Sequence, residues 1–300
     1  MNKIEAKGTL SKVFYTLSIV LVIAPILSHF TSYSDSYWIF ITKLGDETFY
    51  VALLPIVYLL ISRELGFKLI LLFMTSAWIN VTLKAILAMP RPPQELWKVE
   101  ASGYGFPSGH AQSSTVFWGY LSYKVRIRAF ILFATLMVLL IAYSRVYLGV
   151  HYPHDVAGGI IIGLALILIS HIIEHRLSHH FMKTHYSFKI LMLFFYSLFV
   201  LLLLLVVKDL IIVKIAGLIL GGGLGHIIVN EKYGIREISS FKIRATMTIM
   251  GEMLVFICYM LVRKVLNPLI LYLGFMVLGL IITFTPLLVV LLFKKIGSSG

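Results

Sequence analysis

Long runs of apolar residues, separated by short polar stretches, make up most of the chain. A helix needs about 20 apolar residues to span the hydrocarbon core of a bilayer. Runs of roughly that length predict helices at 13–30, 48–63, 67–88, 109–124, 129–148, 154–173, 189–207, 210–230, 243–262 and 266–293. Because apolar residues follow one another without alternating with polar ones, the pattern is typical of helices and not of a membrane barrel. It therefore predicts an all-α, polytopic membrane protein.

Two of these runs are unusual. The run at 109–124 is short and carries Ser113, Ser114 and Thr115, so we expect it to be buried among neighbouring helices. The last run contains Pro286, which kinks or breaks a helix interior, so it fits either one kinked helix or two half-spans.

A polar stretch separates the first six helices from the last four. The predicted parts are a six-helix core at 1–173, a cytoplasmic linker at 174–188, a four-helix extension at 189–296 and a cloning remnant at 297–300.

Composition and charge agree with a membrane protein. The chain is 59% hydrophobic and 13% charged, whereas a soluble domain has about 25% charged residues. The formal net charge is +13, but most Lys and Arg residues fall in short loops that lie on one side if the N-terminus is cytoplasmic. We therefore expect both termini in the cytoplasm and no nucleic-acid partner. Cys258 is the only cysteine, which excludes an intramolecular disulfide and a cysteine-based metal cluster.

Three polar clusters stand out, because polar groups are unfavourable in so apolar a chain. The first runs from Lys84 to Arg91-Pro92, the second is Pro107-Ser108-Gly109-His110, and the third runs from Ser144-Arg145 to Asp155. The predicted topology places all three at the outer membrane face, at the ends of helices three to six. We expect them to form one pocket. Their charged and titratable members are Lys84, Arg91, His110, Arg145, His151 and Asp155.

The third cluster contains a histidine and a carboxylate four residues apart. Pro153 suits the first turn of a helix, and a helix that starts there lets Asp155 turn back toward His151. A carboxylate on one ring nitrogen fixes the tautomer and leaves a lone pair on the other nitrogen. The pair therefore predicts an activated nucleophile or base.

The other two clusters indicate a bound phosphate. Ser108 is a good helix N-cap and Gly109 allows close backbone approach, so the helix start after them is a predicted anion site. His110 would stand beside the anion and could protonate a departing oxygen. Lys84, Arg91 and Arg145 add positive charge, and no acidic ligand set for Mg²⁺ or Zn²⁺ accompanies them. The sequence thus predicts phosphate chemistry without a metal or another cofactor.

Lys84-x6-Arg91-Pro92, Pro107-Ser108-Gly109-His110 and Ser144-Arg145-x5-His151-x3-Asp155 resemble the three signature motifs of the type 2 phosphatidic acid phosphatase family. That family includes membrane lipid phosphatases, glucose-6-phosphatases and vanadium haloperoxidases. Every motif position matches, and the resemblance covers about residues 10–173. It implies that His151 attacks phosphorus and forms a phosphohistidine, that Asp155 orients it, and that His110 protonates the leaving oxygen. It assigns the phosphoryl oxygens to Lys84, Arg91, Arg145, Ser108 and Gly109.

The resemblance implies a metal-independent hydrolase of a lipid phosphate or pyrophosphate, such as isoprenyl pyrophosphate, phosphatidic acid or phosphatidylglycerol phosphate. We expect this multi-pass protein to act among membrane lipids at the outer face of the cell membrane. A lipid phosphotransferase would need the same phosphohistidine, and a sugar-phosphate phosphatase the same core. A reading of a different class is a lipid transporter or scramblase, with a path through the last four helices lined by Lys214 and Glu252. We expect His154, which neighbours Asp155, to be a bystander.

Overall fold

The structure is a computed structural model that describes residues 3–30, 33–235 and 237–297. Residues 298–300 of the predicted cloning remnant lie outside that part. Within the described residues all regular secondary structure is helical, and eight helices are long and apolar enough to cross a membrane. A ninth span results if the helical segments Ser34–Lys43 and Glu47–Ile61 count as one bent pair. The predicted all-α, polytopic membrane architecture is therefore confirmed.

In chain order the helices are α1 (Lys3–His29), α2 (Ser34–Lys43), α3 (Glu47–Ile56), α4 (Arg63–Leu87), α5 (Gly109–Ser114), α6 (Tyr120–Val125), α7 (Arg128–Tyr147), α8 (Pro153–Lys183), α9 (Tyr186–Leu202), α10 (Leu204–Val207), α11 (Ile211–Ile227), α12 (Phe241–Val262) and α13 (Pro268–Gly297). A π-helical turn continues α3 over Val57–Ile61, another joins α5 to α6 over Thr115–Gly119, and a third follows α11 over Ile228–Lys232. Helical residues cover each of the ten predicted segments, but 48–63 and 109–124 are not among the eight long apolar helices. The first belongs to the bent pair, and the second is divided into α5, a π-helical turn and α6.

Three differences from the prediction have local reasons. Helix α2 was not predicted, because its ten residues mix polar and apolar side chains and are too few to span. The predicted linker at 174–188 is helical as far as Lys183, because α8 continues beyond the end of its apolar run. The last run is one helix, α13, with Pro286 inside it, which rules out two half-spans.

The chain forms two compact units, and the first consists of Met1–Phe49 and Ile79–Ile172. Helices α1, α2 and α5 pack against α7 in this unit. Trp38 and Ile41 of α2 are buried with Ile141 of α7 and with Leu148 and Val150 of the loop that follows it. As expected, the short α5–α6 segment is largely buried, including Ser114 and Thr115. This packing fixes the loop between α7 and α8, which carries part of the candidate site.

The second unit consists of Tyr50–Trp78 and Ile173–Gly300, so it includes residues that the predicted six-helix core contained. Helix α11 packs against α9 and α13, and α12 packs against α13. A Cβ atom on Gly221 would overlap the Met276 carbonyl oxygen, so glycine permits the close contact of α11 with α13. Lys214 lies over the Phe275 ring at 5.6 Å, whereas Oε1 of Glu252 has no hydrogen-bond partner in the described part of the chain.

Candidate active site

A buried histidine–carboxylate pair lies at the start of α8. The helix begins at Pro153 and brings Oδ2 of Asp155 to 3.2 Å from Nδ1 of His151. The same oxygen accepts a hydrogen bond of 3.0 Å from the Tyr152 backbone N–H. His151 is 3% exposed and Asp155 is fully buried. The carboxylate therefore holds the proton of the neutral ring on Nδ1 and leaves the lone pair on Nε2.

Positive charge surrounds the Nε2 side of His151. Nη1 of Arg91 lies 2.9 Å from His151 Nε2, and it donates a hydrogen bond of 2.8 Å to the Val150 carbonyl. Burial lowers the pKa of His151, and the charges of Arg91, Arg145 and Lys84 lower it further. The ring is thus neutral at physiological pH, as a nucleophile requires.

The other two cations approach from α4 and α7. Nζ of Lys84 donates hydrogen bonds to the carbonyls of Tyr104 (2.6 Å) and Gly105 (3.0 Å). These bonds hold the loop before α5 against the end of α4. Nη1 of Arg145 donates to Oγ1 of Thr42 at 2.6 Å. Nε of Arg145 is buried and has no partner among the residues that the structure describes. Since buried polar groups are normally paired, this N–H group fits an anionic ligand.

The second cluster forms the start of α5. Ser108 occupies the position before the helix, but its hydroxyl makes no capping bond, which corrects the predicted N-cap role. Its buried Oγ has no partner in the described part of the structure, so it is available to an oxygen of a ligand. A Cβ atom on Gly109 would lie 3.2 Å from Oδ1 of Asn80, which shows how closely α4 approaches this turn.

Asn80 was missed by the sequence analysis. Its Nδ2 donates to the Pro107 carbonyl at 3.2 Å and to Oε1 of Gln112 at 2.8 Å. Asn80 therefore bonds to the chain both before the start of α5 and within that helix. The available signal was its place one helical turn before Lys84 on an apolar helix, where a polar residue needs a reason.

His110 has a carboxylate partner that was also missed. Its Nε2 lies 2.8 Å from Oδ1 of Asp46, in the turn between α2 and α3. The two residues are 64 positions apart, and no motif spacing connects them.

The structure brings the predicted residues of the three clusters together within the first unit. Arg91 of the first cluster contacts His151 of the third, and the Ser108 backbone N–H donates to the Asp155 carbonyl at 2.9 Å. His154 Nε2 lies 3.2 Å from Asp155 Oδ1, and the His154 side chain is 55% exposed. Among the described residues, no three His, Cys, Asp or Glu side chains are grouped as metal ligands.

The part of the chain that carries the site is similar to known proteins. The sequence model of the PAP2 superfamily matches residues 65–179, which contain all three motifs. Phosphatidylglycerophosphatase B of Bacillus subtilis (strain 168) is 31% identical over 143 residues, which cover 43% of this chain and 70% of the relative. The chain belongs to the PAP2 superfamily. Helices α9 to α13 lie outside the region that the superfamily model matches.

Another similar protein is sphingosine-1-phosphate phosphatase 2 of Homo sapiens, which is 30% identical over 142 residues. That match covers 44% of this chain and 36% of the relative. The chain spans between about a third and about half of the length of the first curated relatives that it matches. Among solved structures, a transmembrane PAP2 type phosphatidylglycerolphosphate phosphatase from Bacillus subtilis is 24% identical, with a TM-score of 0.45. The match covers 56% of this chain and 88% of that one.

Proposed function

We propose that this PAP2 protein is a metal-independent membrane phosphatase that hydrolyses a lipid phosphate or lipid pyrophosphate through a phosphohistidine on His151. The observation that carries the proposal is the buried contact between His151 Nδ1 and Asp155 Oδ2 at 3.2 Å, with the Arg91 guanidinium 2.9 Å from Nε2. A neutral imidazole with one nitrogen held and the other facing cations is suited to attack an electrophile that carries negative charge.

In the first half-reaction, Nε2 of His151 forms a bond to phosphorus while the bond from phosphorus to the leaving oxygen breaks. Arg91, Arg145 and Lys84 neutralise the non-bridging oxygens, and Arg91 exchanges its contact with Nε2 for one of them. The Ser108 hydroxyl and the Gly109 backbone N–H donate to the same oxygens. Asp155 stabilises the positive charge that develops on the ring, and His110 gives a proton to the leaving oxygen.

In the second half-reaction, water attacks the phosphohistidine. His110, now neutral, accepts a proton from that water, the bond between phosphorus and Nε2 breaks, and inorganic phosphate leaves. The cycle returns both histidines to their initial states, so it consumes no reagent other than water. The same intermediate would serve a phosphotransferase if a hydroxyl acceptor entered in place of water.

Two observations favour a lipid substrate. Lys84 and Arg145 lie in the last turns of α4 and α7, and α8 starts at Pro153, so the site is at the level where membrane helices end. Lipid phosphate headgroups occupy that level of a bilayer. The names of the two relatives described above both specify lipid phosphates, whereas glucose-6-phosphatase 3 of Mus musculus, 30% identical over 184 residues, supports the sugar-phosphate alternative. We place the site on the outer face of the cell membrane and both termini in the cytoplasm, from the distribution of Lys and Arg among the loops.

The transporter alternative rested on Lys214 and Glu252. In the described part of the chain these side chains form no ion pair, and Lys214 lies over the Phe275 ring instead. Lipid flux in liposomes that persists in His151→Ala protein would favour that alternative over the phosphatase.

The test is phosphate release by purified full-length protein in EDTA, from a panel of lipid phosphates, lipid pyrophosphates and glucose 6-phosphate. We expect release from a lipid substrate by the wild type and none by His151→Ala, with His154→Ala as a matched histidine control that stays active. Equal release by the wild type and His151→Ala would overturn the proposal. Release from glucose 6-phosphate alone would assign a sugar phosphate, and a phosphorylated alcohol formed with an added acceptor would assign transfer.

A further inference from the structure

The turn that joins α2 to α3 holds the His110 ring by two contacts. Leu44, the first residue of the turn, is the C-cap of α2. The backbone N–H groups of Gly45 and Asp46 then donate to the carbonyls of Thr42 and Lys43, respectively. From this turn, Oδ1 of Asp46 reaches 2.8 Å from Nε2 of His110. The Asp46 side chain is 42% exposed and that of His110 is 23% exposed, so the contact is partly shielded from water.

The second contact is made by Gly45. A Cβ atom there would lie 2.8 Å from Cδ2 of His110 and 2.7 Å from Cγ2 of Ile141, distances too short for real side chains. The backbone of the turn therefore packs directly against the carbon edge of the ring, which only glycine permits. Gly45 thus determines the position of the His110 ring, and the next residue, Asp46, provides the hydrogen-bond partner of its Nε2.

The charges around His110 give the Asp46 carboxylate a specific purpose. Burial lowers the pKa of His110, and the positive charges of Arg145 on α7 and Arg91 in the loop after α4 lower it further. His151 is a further titratable group close enough to interact with it. Asp46 is the carboxylate that favours the imidazolium. A general acid must carry its proton before it can donate it, so a ring among these cations needs such a partner.

We propose that Asp46 is a positioning residue for His110, which accepts the Nε2–H hydrogen bond so that the Nδ1–H proton is the one delivered to the leaving oxygen. This inference rests on the proposed phosphatase function and deepens it. As the bond between phosphorus and the leaving oxygen breaks, the proton passes from Nδ1 to that oxygen. The ring becomes neutral and keeps its Nε2–H bond to Asp46. Nδ1 then accepts a proton from the water that attacks the phosphohistidine.

Leaving-group dependence separates this role from a merely structural one. An alkyl or lipid phosphate expels a poor leaving group that needs a proton, whereas p-nitrophenyl phosphate expels a stabilised phenolate that does not. We compare kcat/KM, because it includes only the steps up to release of the leaving group and not the later attack of water on the phosphohistidine. We expect Asp46→Asn to lower kcat/KM by about 10- to 100-fold with the lipid phosphate, toward the low end of general acid contributions. With p-nitrophenyl phosphate we expect kcat/KM to change by less than about threefold, within the range of a lost surface contact.

Companion variants make each outcome decisive. His110→Asn should show the same leaving-group dependence, and Asp46→Glu should restore part of the lipid-phosphate rate. Asp35→Asn is the matched control, because this α2 carboxylate is bonded to Lys98 and Tyr147 and does not contact His110. Should Asp46→Asn not fold, Gly45→Ala provides a second test, since it keeps the carboxylate and displaces the ring.

Equal losses of kcat/KM with both substrates, or no loss of kcat/KM with either, would overturn the role of Asp46. Failure of the phosphatase proposal itself gives a different result, in which His151→Ala retains turnover of both substrates.

Discussion

Replacement of Asp155 by asparagine removes a charge at the centre of the site and changes little else. The carboxylate is fully buried, and its Oδ2 accepts hydrogen bonds from His151 Nδ1 and from the Tyr152 backbone N–H. Asparagine has nearly the same shape, and its amide oxygen can accept both bonds. The variant therefore isolates the contribution of the negative charge to the reaction.

The size of the effect follows from the geometry. As Nε2 bonds to phosphorus, the ring gains positive charge at 3.2 Å from the Asp155 oxygen. At an effective dielectric constant of about 20, two unit charges at that distance attract by about 5 kcal/mol. Each ~1.4 kcal/mol of lost transition-state stabilisation lowers the rate tenfold, so we expect kcat to fall by about 10³- to 10⁴-fold.

The assay is initial-rate phosphate release at saturating lipid phosphate, with thermal unfolding to show that the variant is folded. His154→Gln is the control, because its ring also lies 3.2 Å from an Asp155 oxygen but its side chain is 55% exposed. A contact made by so exposed a side chain contributes at most about 1 kcal/mol, so His154→Gln should stay within about fivefold of the wild type. A folded Asp155→Asn protein whose kcat is within tenfold of the wild type would refute the reasoning.

Three further predictions concern stability. Gly149 has φ +71, and Gly149→Ala would push a methyl group into the Leu96 carbonyl. Gly103 has φ +65 but open space around it, so Gly103→Ala should lower the free energy of unfolding by only about 1–2 kcal/mol. Gly149→Ala should therefore have a clearly lower Tm than Gly103→Ala, and equal Tm values would contradict this. The folded pKa of His151 lies below its ordinary 6.5, so the unfolded chain binds the extra proton and Tm should fall as pH drops below about 6.5. Melts at pH 7.5 and 5 should show a smaller drop for His151→Gln, and an unchanged drop would exclude this cause. Glu231→Gln removes the carboxylate that Lys189 Nζ reaches at 2.8 and 2.9 Å and should destabilise the protein by about 2 kcal/mol, whereas adding Lys189→Met should recover much of that loss in the same melts.

The sequence predicted those features that depend on local pattern. Helices such as α7 and α8 follow from apolar runs, because a bilayer requires a minimum length of apolar residues whatever the neighbouring helices are. The start of α8 at Pro153, and with it the contact between His151 and Asp155, follows from the preference of proline for a first helical turn. A contact between residues four apart at a helix start can be predicted without knowledge of the tertiary structure.

Asp46 and Asn80 were missed because their contacts are between distant parts of the chain. Asp46 meets His110 across 64 residues, and Asn80 meets Gln112 across 32. Nothing in the turn after α2 indicates that its carboxylate points toward a histidine. A single polar residue on an apolar helix does indicate a buried contact, but it does not identify the partner.

The division into units was equally inaccessible from the pattern. Residues 50–78 cluster with the C-terminal helices, although they lie between elements of the first unit in the sequence. An apolar side chain suits lipid, a neighbouring helix of one unit or a helix of the other, so hydropathy does not distinguish these surroundings. The charged and polar residues identify the site in the sequence. Which apolar helix faces pack together depends instead on how well their side chains fit, which hydropathy does not describe.

The hydrogen bond between His151 and Asp155 also determines the regiochemistry of the proposed intermediate. Because Nδ1 is committed to the buried carboxylate, phosphorus can bond only to Nε2, and the phosphorylated protein would be a single positional isomer. Protein quenched in alkaline denaturant, which preserves the acid-labile P–N bond, and analysed by phosphorus NMR or by fragmentation mass spectrometry would then contain one kind of phosphoramidate. The carboxylate thus acts as a protecting group, which directs the phosphoryl group to one of two chemically similar nitrogens.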